Sequence, residues 1–196
     1  MKNVLIVGAG GIGSWLGYFL NDLDKKGQFE EVLITFADDD TVDTPNLSYQ
    51  KFQVDDISDF KAEVMADRYG FESISERITT EDVLIKYDCI ISCVDGKNFR
   101  ELLFKTADKN PELFWIDLRS EGRTIVLYSK HERNTLENML KTLPKGEAED
   151  GSCQREYEKN NNIIQQGNKI IALIASQQIL NWIRNEGVMS EFIRNF

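Results

Sequence analysis

Histidine is nearly absent from this sequence, and cysteine and proline are scarce: one histidine, three cysteines and three prolines stand among 196 residues. With His131 alone, a Ser-His-Asp or Cys-His device has a single candidate base. It lies in Ser129-Lys130-His131-Glu132-Arg133, a polar stretch that reads as a solvated loop. Cys89, Cys93 and Cys153 make an odd number with no C-x-x-C pair, so neither a disulfide scaffold nor a structural zinc site is indicated. Cys89 and Cys93 would lie about 13 Å apart along one strand, too far to share a metal, and both read as small core residues. Positive charge is also short, with 33 acidic against 23 basic residues and a net charge of −10. A nucleic-acid backbone or an anionic bilayer would be repelled, so neither is an expected partner, and the acidity reads first as solubility. No apolar run is long enough to cross a bilayer, and one lysine precedes the first strand-like run, so a cytoplasmic protein is expected.

What is present begins at Lys2. Val4-Leu5-Ile6-Val7 is a short apolar run, as expected of a parallel strand buried on both faces. Gly8, Gly10, Gly11 and Gly13 follow, a turn in which the backbone can take positive φ and a ligand can approach without meeting a Cβ. From Gly11 the pattern becomes helical, with Trp15, Leu16, Phe19, Leu20 and Leu23 on one stripe. The free N–H groups of that helix's first turn make an anion site, most simply for phosphate, though the loop alone does not separate NAD from ATP.

A second buried strand, Val32 to Ala37, delivers Asp38, Asp39 and Asp40 at its carboxyl end. Ligands of open α/β sheets sit there, and an acid beside a glycine loop can accept hydrogen bonds from ribose hydroxyls. Helices are expected over Phe60–Tyr69, with Met65 and Ala66 inward, over Asn98–Ala107 and Leu136–Leu143, and a long, mostly buried one over Ile163–Ile183. Strands are expected over Phe71–Ile78, Tyr87–Val94, Leu113–Leu118 and Thr124–Tyr128, the last two joined by a polar turn from Arg119 to Arg123. Asp95 ends the Tyr87–Val94 strand and could cap the helix after it. The polar stretch 129–162 is the best candidate for a mobile loop over a site, in a chain whose length suits one domain spanning 1–196.

The motif Asp38-x-Asp40-x-Val42-x-x-x-Asn46-Leu47-x-x-Gln50, preceded by Gly8-x-Gly10-Gly11-x-Gly13 and followed by Lys61-Ala62 at a helix start, resembles the ubiquitin-activating, E1-like superfamily. That superfamily includes the thiamine- and molybdopterin-pathway adenylyltransferases. The resemblance covers Lys2 to about Lys105 by motif and the remainder more loosely. It implies an α/β fold: a Rossmann-like open, mainly parallel sheet with helices on both faces and an antiparallel extension in the C-terminal half.

The resemblance also implies chemistry: ATP-dependent adenylation of the C-terminal carboxylate of a ubiquitin-like protein or short peptide, with thioester formation or sulfur transfer as a possible sequel. Gly8, Gly10, Gly11 and Gly13 would hold the nucleotide phosphates, Asp38 and Asp40 the ribose end, and Asn46 and Gln50 would border the α-phosphate. Lys61 would reach the triphosphate as a mobile point charge. Asp95, with Arg100 five positions on, matches the family's aspartate-plus-arginine helix opening and would hold Mg²⁺. Cys153, in Gly151-Ser152-Cys153-Gln154, is placed where a loop cysteine of the family attacks the adenylate. A homodimer or an E1-like heterodimer is implied as the assembly.

The sequence departs from the family at Tyr49, where Asn-Leu-x-Arg-Gln normally carries arginine, and Lys51 is the nearest substitute. It also starts at the first strand, without the helix that in dimeric relatives supplies an arginine to the neighbouring site. Two other readings therefore stand beside adenylation. A non-catalytic nucleotide-binding or partner subunit is favoured by Tyr49. An NAD-dependent oxidoreductase would use the glycine loop and Asp38 but leaves Asn46, Gln50, Lys61 and Asp95 without a role.

Overall fold

The computed structural model describes residues 1–121, 123–144 and 166–196. One seven-stranded sheet organises them, in the order β3-β2-β1-β4-β5-β6-β7. Its strands are β1 Lys2–Val7, β2 Val32–Ala37, β3 Glu72–Ile74, β4 Cys89–Ser92, β5 Phe114–Glu121, β6 Thr124–Ser129 and β7 Glu191–Asn195. Strands β1 to β5 pair in parallel, while β5–β6 and β6–β7 are antiparallel, which is the mixed Rossmann-like sheet expected.

Both faces are covered, and strand alternation decides what goes where. Val4, Ile6, Ile34, Phe36, Cys89, Ile91 and Ile116 point to one side, where helices α1 (Gly13–Asp24), α2 (Lys61–Tyr69) and α6 (Gly167–Ile183) bring Leu16, Met65 and Ile171. Leu5, Val7, Ile90 and Trp115 point to the other, against α3 (Glu81–Leu84), α4 (Lys97–Lys109) and α5 (Leu136–Lys141) through Leu84, Phe104 and Met139. Met65 is buried as expected, whereas Ala66 is half-buried; α2 then stops at Gly70, whose φ of 74° closes it in the left-handed conformation.

Several expectations need correction. The strand expected over Phe71–Ile78 is the short edge strand β3, paired only with β2, and the chain from Ser75 onward leaves the sheet. Arg119, Ser120 and Glu121 are not a turn; they continue β5, because they pair with Val126, Ile125 and Thr124 of β6. Within the stretch 129–162, the helix expected over Leu136–Leu143 is present as α5, anchored by buried Met139, while Ser129 ends β6; residues 145–162 lie outside the described residues. The edge strand β7 has no counterpart in the sequence reading. Within α6, Ile171 and Ile179 are buried against β5, β6 and α1, while Ile163 lies outside the described residues. No described helix is long and apolar enough to cross a membrane.

Candidate functional site

Strand order locates the site. From β1 the chain builds outward through β2 and β3, then returns to place β4 on the other side of β1. At such a switch point the loops after neighbouring strands diverge and leave a crevice beyond their carboxyl ends. A cleft of about 690 Å³ lies there, lined by the loops after β1, β2, β3 and β4.

The glycines of the first loop serve different ends. Gly8 has a φ of 95°, and a Cβ on it would stand 2.9 Å from the Cys93 carbonyl. A Cβ on Gly13 would come within 1.9 Å of the Gly8 carbonyl oxygen, and one on Gly11 within 2.5 Å of Asn168 Nδ2. Gly10 alone is open, with nothing nearer than Gln50 Nε2 at 3.9 Å. Three glycines thus let the protein pack on itself, and one leaves room for an incoming group. Helix α1 starts directly from this loop with no acid in its first turn, so its first N–H groups favour an anion.

Asp38 secures the loop from the side. Its carboxylate accepts the Ala9 N–H at 2.6 Å and the Asp40 N–H at 2.9 Å. Burial raises its pKa above the ordinary 3.8, against the opposing pull of these N–H groups and of Lys61. Lys61 is not the solvated lysine its position at a helix start suggests: it is 7% exposed. Its Nζ reaches the Asp40 carboxylate at 2.9 Å, and its backbone N–H binds the Asp40 carbonyl at the same distance. Asp39 accepts from Arg77 Nε at 2.9 Å, which brings the segment after β3 over the cleft.

The Asn46–Gln50 segment forms the wall nearest Gly10. Asn46 lines the cleft while its Oδ1 accepts the Asp43 N–H at 2.9 Å, closing its own short turn. Gln50 is 7% exposed, and its Oε1 has no hydrogen-bond partner. Helix α1 fixes this wall: Trp15 Nε1 donates to the Tyr49 carbonyl at 3.0 Å and Ser14 Oγ accepts the Lys51 N–H at 3.0 Å. Lys51 does not replace the motif arginine, because its ammonium sits 5.1 Å over the Trp15 ring and 4.8 Å over Tyr18 and does not line the cleft.

Asp95 stands exposed at the tip of β4 and lines the cleft, and Gly96 after it occupies the N-cap position of α4. Arg100 fixes the Asp95 backbone from below. Its Nη1 donates to the Asp95 carbonyl at 2.9 Å, its Nη2 to the Val94 carbonyl, and its Nε to the fully buried Asp117 carboxylate at 2.9 Å. The second Asp117 oxygen takes Arg119 Nε at 2.7 Å, and Arg119 goes on to the Thr142 carbonyl and hydroxyl at the end of α5.

Sequence reasoning did not find this buried charge network, although an aspartate inside the apolar run Phe114–Leu118 announces a partner, since buried charges are paired. It also missed Ile78, Val94, Phe99 and Leu102, an apolar lining suited to a flat ring, and Arg77 beside them. Nor did it single out Asn168. Burial raises the Cys89 and Cys93 thiol pKa values far above normal, which leaves both protonated and inert, as expected of core residues. Cys153 lies outside the described residues.

Gly8, Gly10, Gly11, Asp38, Asp40, Asn46, Gln50, Lys61 and Asp95 therefore meet around one cleft, with Gly13 packed just behind it. The arrangement offers N–H groups, the cations of Lys61 and Arg77, the carboxylates of Asp38, Asp39, Asp40 and Asp95, and apolar side chains at one end. Asp95 suits a hard cation such as Mg²⁺, which takes few protein ligands and keeps its waters.

Solved structures of the same fold include PaaA, at 17% identity and a TM-score of 0.66, covering 100% of this chain and 70% of that one. Another is Escherichia coli MccB with MccA-N7isoASN, at 18% identity and a TM-score of 0.72, covering 100% of this chain and 61% of that one. MccB with ATP gives 18% identity and a TM-score of 0.66, covering 99% of this chain and 63% of that one. The chain thus spans less than two thirds of MccB. No curated protein sequence matches it at a significant level. The ThiF family pattern, however, matches from residue 1 to residue 196, and the chain belongs to that family.

Proposed function

We propose that this protein binds ATP in the cleft and transfers AMP to the terminal carboxylate of a peptide or a ubiquitin-like protein. The observation that carries this reading is the convergence of the Gly10 opening, Lys61, Gln50 and Asp95 on one cleft with a ring-sized apolar end. MccB, of the same fold, has been solved both with ATP and with N-formylated MccA.

Adenylation requires a carboxylate oxygen to attack the α-phosphorus in line, forming a new P–O bond as pyrophosphate departs. Carboxylates are weak electrophiles, and the acyl phosphate so formed is open to a thiol or amine. The base would rest among Ile78, Val94, Phe99 and Leu102, the ribose hydroxyls against Asp38, and the phosphates over Gly10 and the start of α1. Lys61, already buried and held by Asp40, would turn its charge to the triphosphate at little cost in ordering. Asp95 would hold Mg²⁺, whose bound charge offsets that of the phosphates. Arg100 keeps Asp95 in place through the backbone and needs no contact with substrate.

ATP–pyrophosphate exchange measured with Mg²⁺ and short peptide acids tests the reading. Carboxylate-dependent exchange is expected, with ATP·Mg binding weakened strongly by Asp95→Ala and with no comparable affinity for NAD. A second reading, nucleotide binding without turnover, is favoured by one feature: with Tyr49 in place of arginine and Lys51 laid on Trp15 and Tyr18, that wall brings no cation to the phosphates. ATP binding without exchange, for any carboxylate, would select it.

A further inference from the structure

The outward faces of α1 and α6 form a strip that the cleft does not use. Asn168 touches Gly11 and Arg184 donates to the Gln28 side chain, so the two helices lie side by side and run in the same direction. Leu16 and Leu20 of α1 and Ile171 and Ala175 of α6 are turned to the core. Off that stripe, α1 presents Trp15, Tyr18 and Phe19, with ring centroids 5.5–6.4 Å apart, and α6 presents Lys169 and, one turn on, Leu173. Tyr18 is 41% and Leu173 55% exposed, an apolar surface at the edge of the aromatic cluster.

Charge sets one end of the strip apart. Lys169 Nζ stands 4.4 Å over the Trp15 ring, and Lys51 Nζ stands 5.1 Å over the same ring and 4.8 Å over Tyr18. Neither ammonium is in an ion pair with a described residue, in a chain with 33 acids to 23 bases. A ring face positions an ammonium but takes none of its three N–H donors as a carboxylate does. Two held cations beside exposed apolar side chains therefore complement a surface that brings carboxylates and an aliphatic group together. A second copy in two-fold contact would set these lysines against themselves. Nucleic acid or an anionic bilayer would meet the repulsion of a net charge of −10.

We propose that this strip docks an acidic segment of a partner protein, its carboxylates on Lys51 and Lys169 and an aliphatic side chain between Tyr18 and Leu173. None of these residues lines the cleft, so the docking stands apart from the adenylation reading.

Surface plasmon resonance on the immobilised full chain tests this with a pool of short, end-blocked peptides of glutamate and leucine. The controls are a pool with lysine for glutamate, a pool with serine for leucine, phosphatidylserine vesicles and duplex DNA. The glutamate–leucine pool is expected to bind about tenfold more tightly than either control pool, less so as salt is raised, while vesicles and DNA are not retained. Lys51→Gln with Lys169→Gln should abolish the preference over the lysine pool, and Leu173→Ser the preference over the serine pool. Both variants should keep the urea midpoint and the ATP·Mg affinity of the unaltered protein. Equal retention of the three pools, or preferences that survive these substitutions, overturns the proposal. So does stronger retention of vesicles or DNA, or a dimer in sedimentation that Leu173→Ser disperses, which would make a second copy the occupant.

Discussion

The sheet carries two charged assemblies built from the same residue types and put to opposite uses. Under β5, Asp117 is 0% exposed and both of its oxygens are occupied by arginines. At the cleft, Lys61 is buried, but the Asp40 side chain it binds remains 62% exposed. Separating the first set strands a charge in a dry interior, where neither water nor a ligand can replace the lost partner. In the second, solvent already reaches one member, so an arriving anion can take over the lysine at small cost. The sealed assembly behaves as scaffold for the Asp95 tip, and the open one as an exchangeable contact.

Breaking the sealed assembly has the largest effect. Asp117→Ala leaves Arg100 and Arg119 without their anion and is expected to destabilise the fold by about 3–5 kcal/mol in urea titrations. A loss under about 1 kcal/mol would place these arginines in water. Lys61→Met keeps the aliphatic stem and removes the charge. Its urea midpoint should change by about 1 kcal/mol or less in free-energy terms. Calorimetry should show ATP·Mg affinity falling roughly tenfold to a hundredfold, since charge-assisted hydrogen bonds are worth about 1.5–3 kcal/mol.

A pH series sharpens the contrast at Asp38. Its folded pKa lies above 3.8, so the folded state favours the protonated form. The stability this contributes is full below the unfolded value and is lost as pH rises through the folded one. The melting-temperature gap between the unaltered protein and Asp38→Asn should therefore shift against the unaltered protein as pH rises through the carboxylate range. A gap constant with pH counts against burial as the cause. Smallest of all is Lys105→Ala, which breaks an exposed pair with Glu101 on α4 and should alter stability by no more than about 0.5 kcal/mol.

The parallel half of the sheet was legible because its signals are local. Val4–Val7 is apolar throughout, and the glycines mark the turn that follows. Asp38, Lys61 and Asp95 could be set in order by motif, though spacing cannot disclose that Lys61 is buried against Asp40. Sequence reading failed where a residue's partner lies far along the chain. Asp117 is held by arginines on two elements, Asn168 touches a loop 157 positions earlier, and β7 is a strand only through its pairing with β6. Tyr49 is the instructive intermediate: the missing arginine was visible, but the diversion of Lys51 onto two aromatic rings required the fold.

The close approach of Gly13 to the Gly8 carbonyl has a thermodynamic consequence. A loop wound this tightly on its own backbone, and pinned at Ala9 by a carboxylate, has surrendered its conformational freedom during folding. Whatever anion arrives finds a preorganised floor and does not spend its binding energy on shaping one.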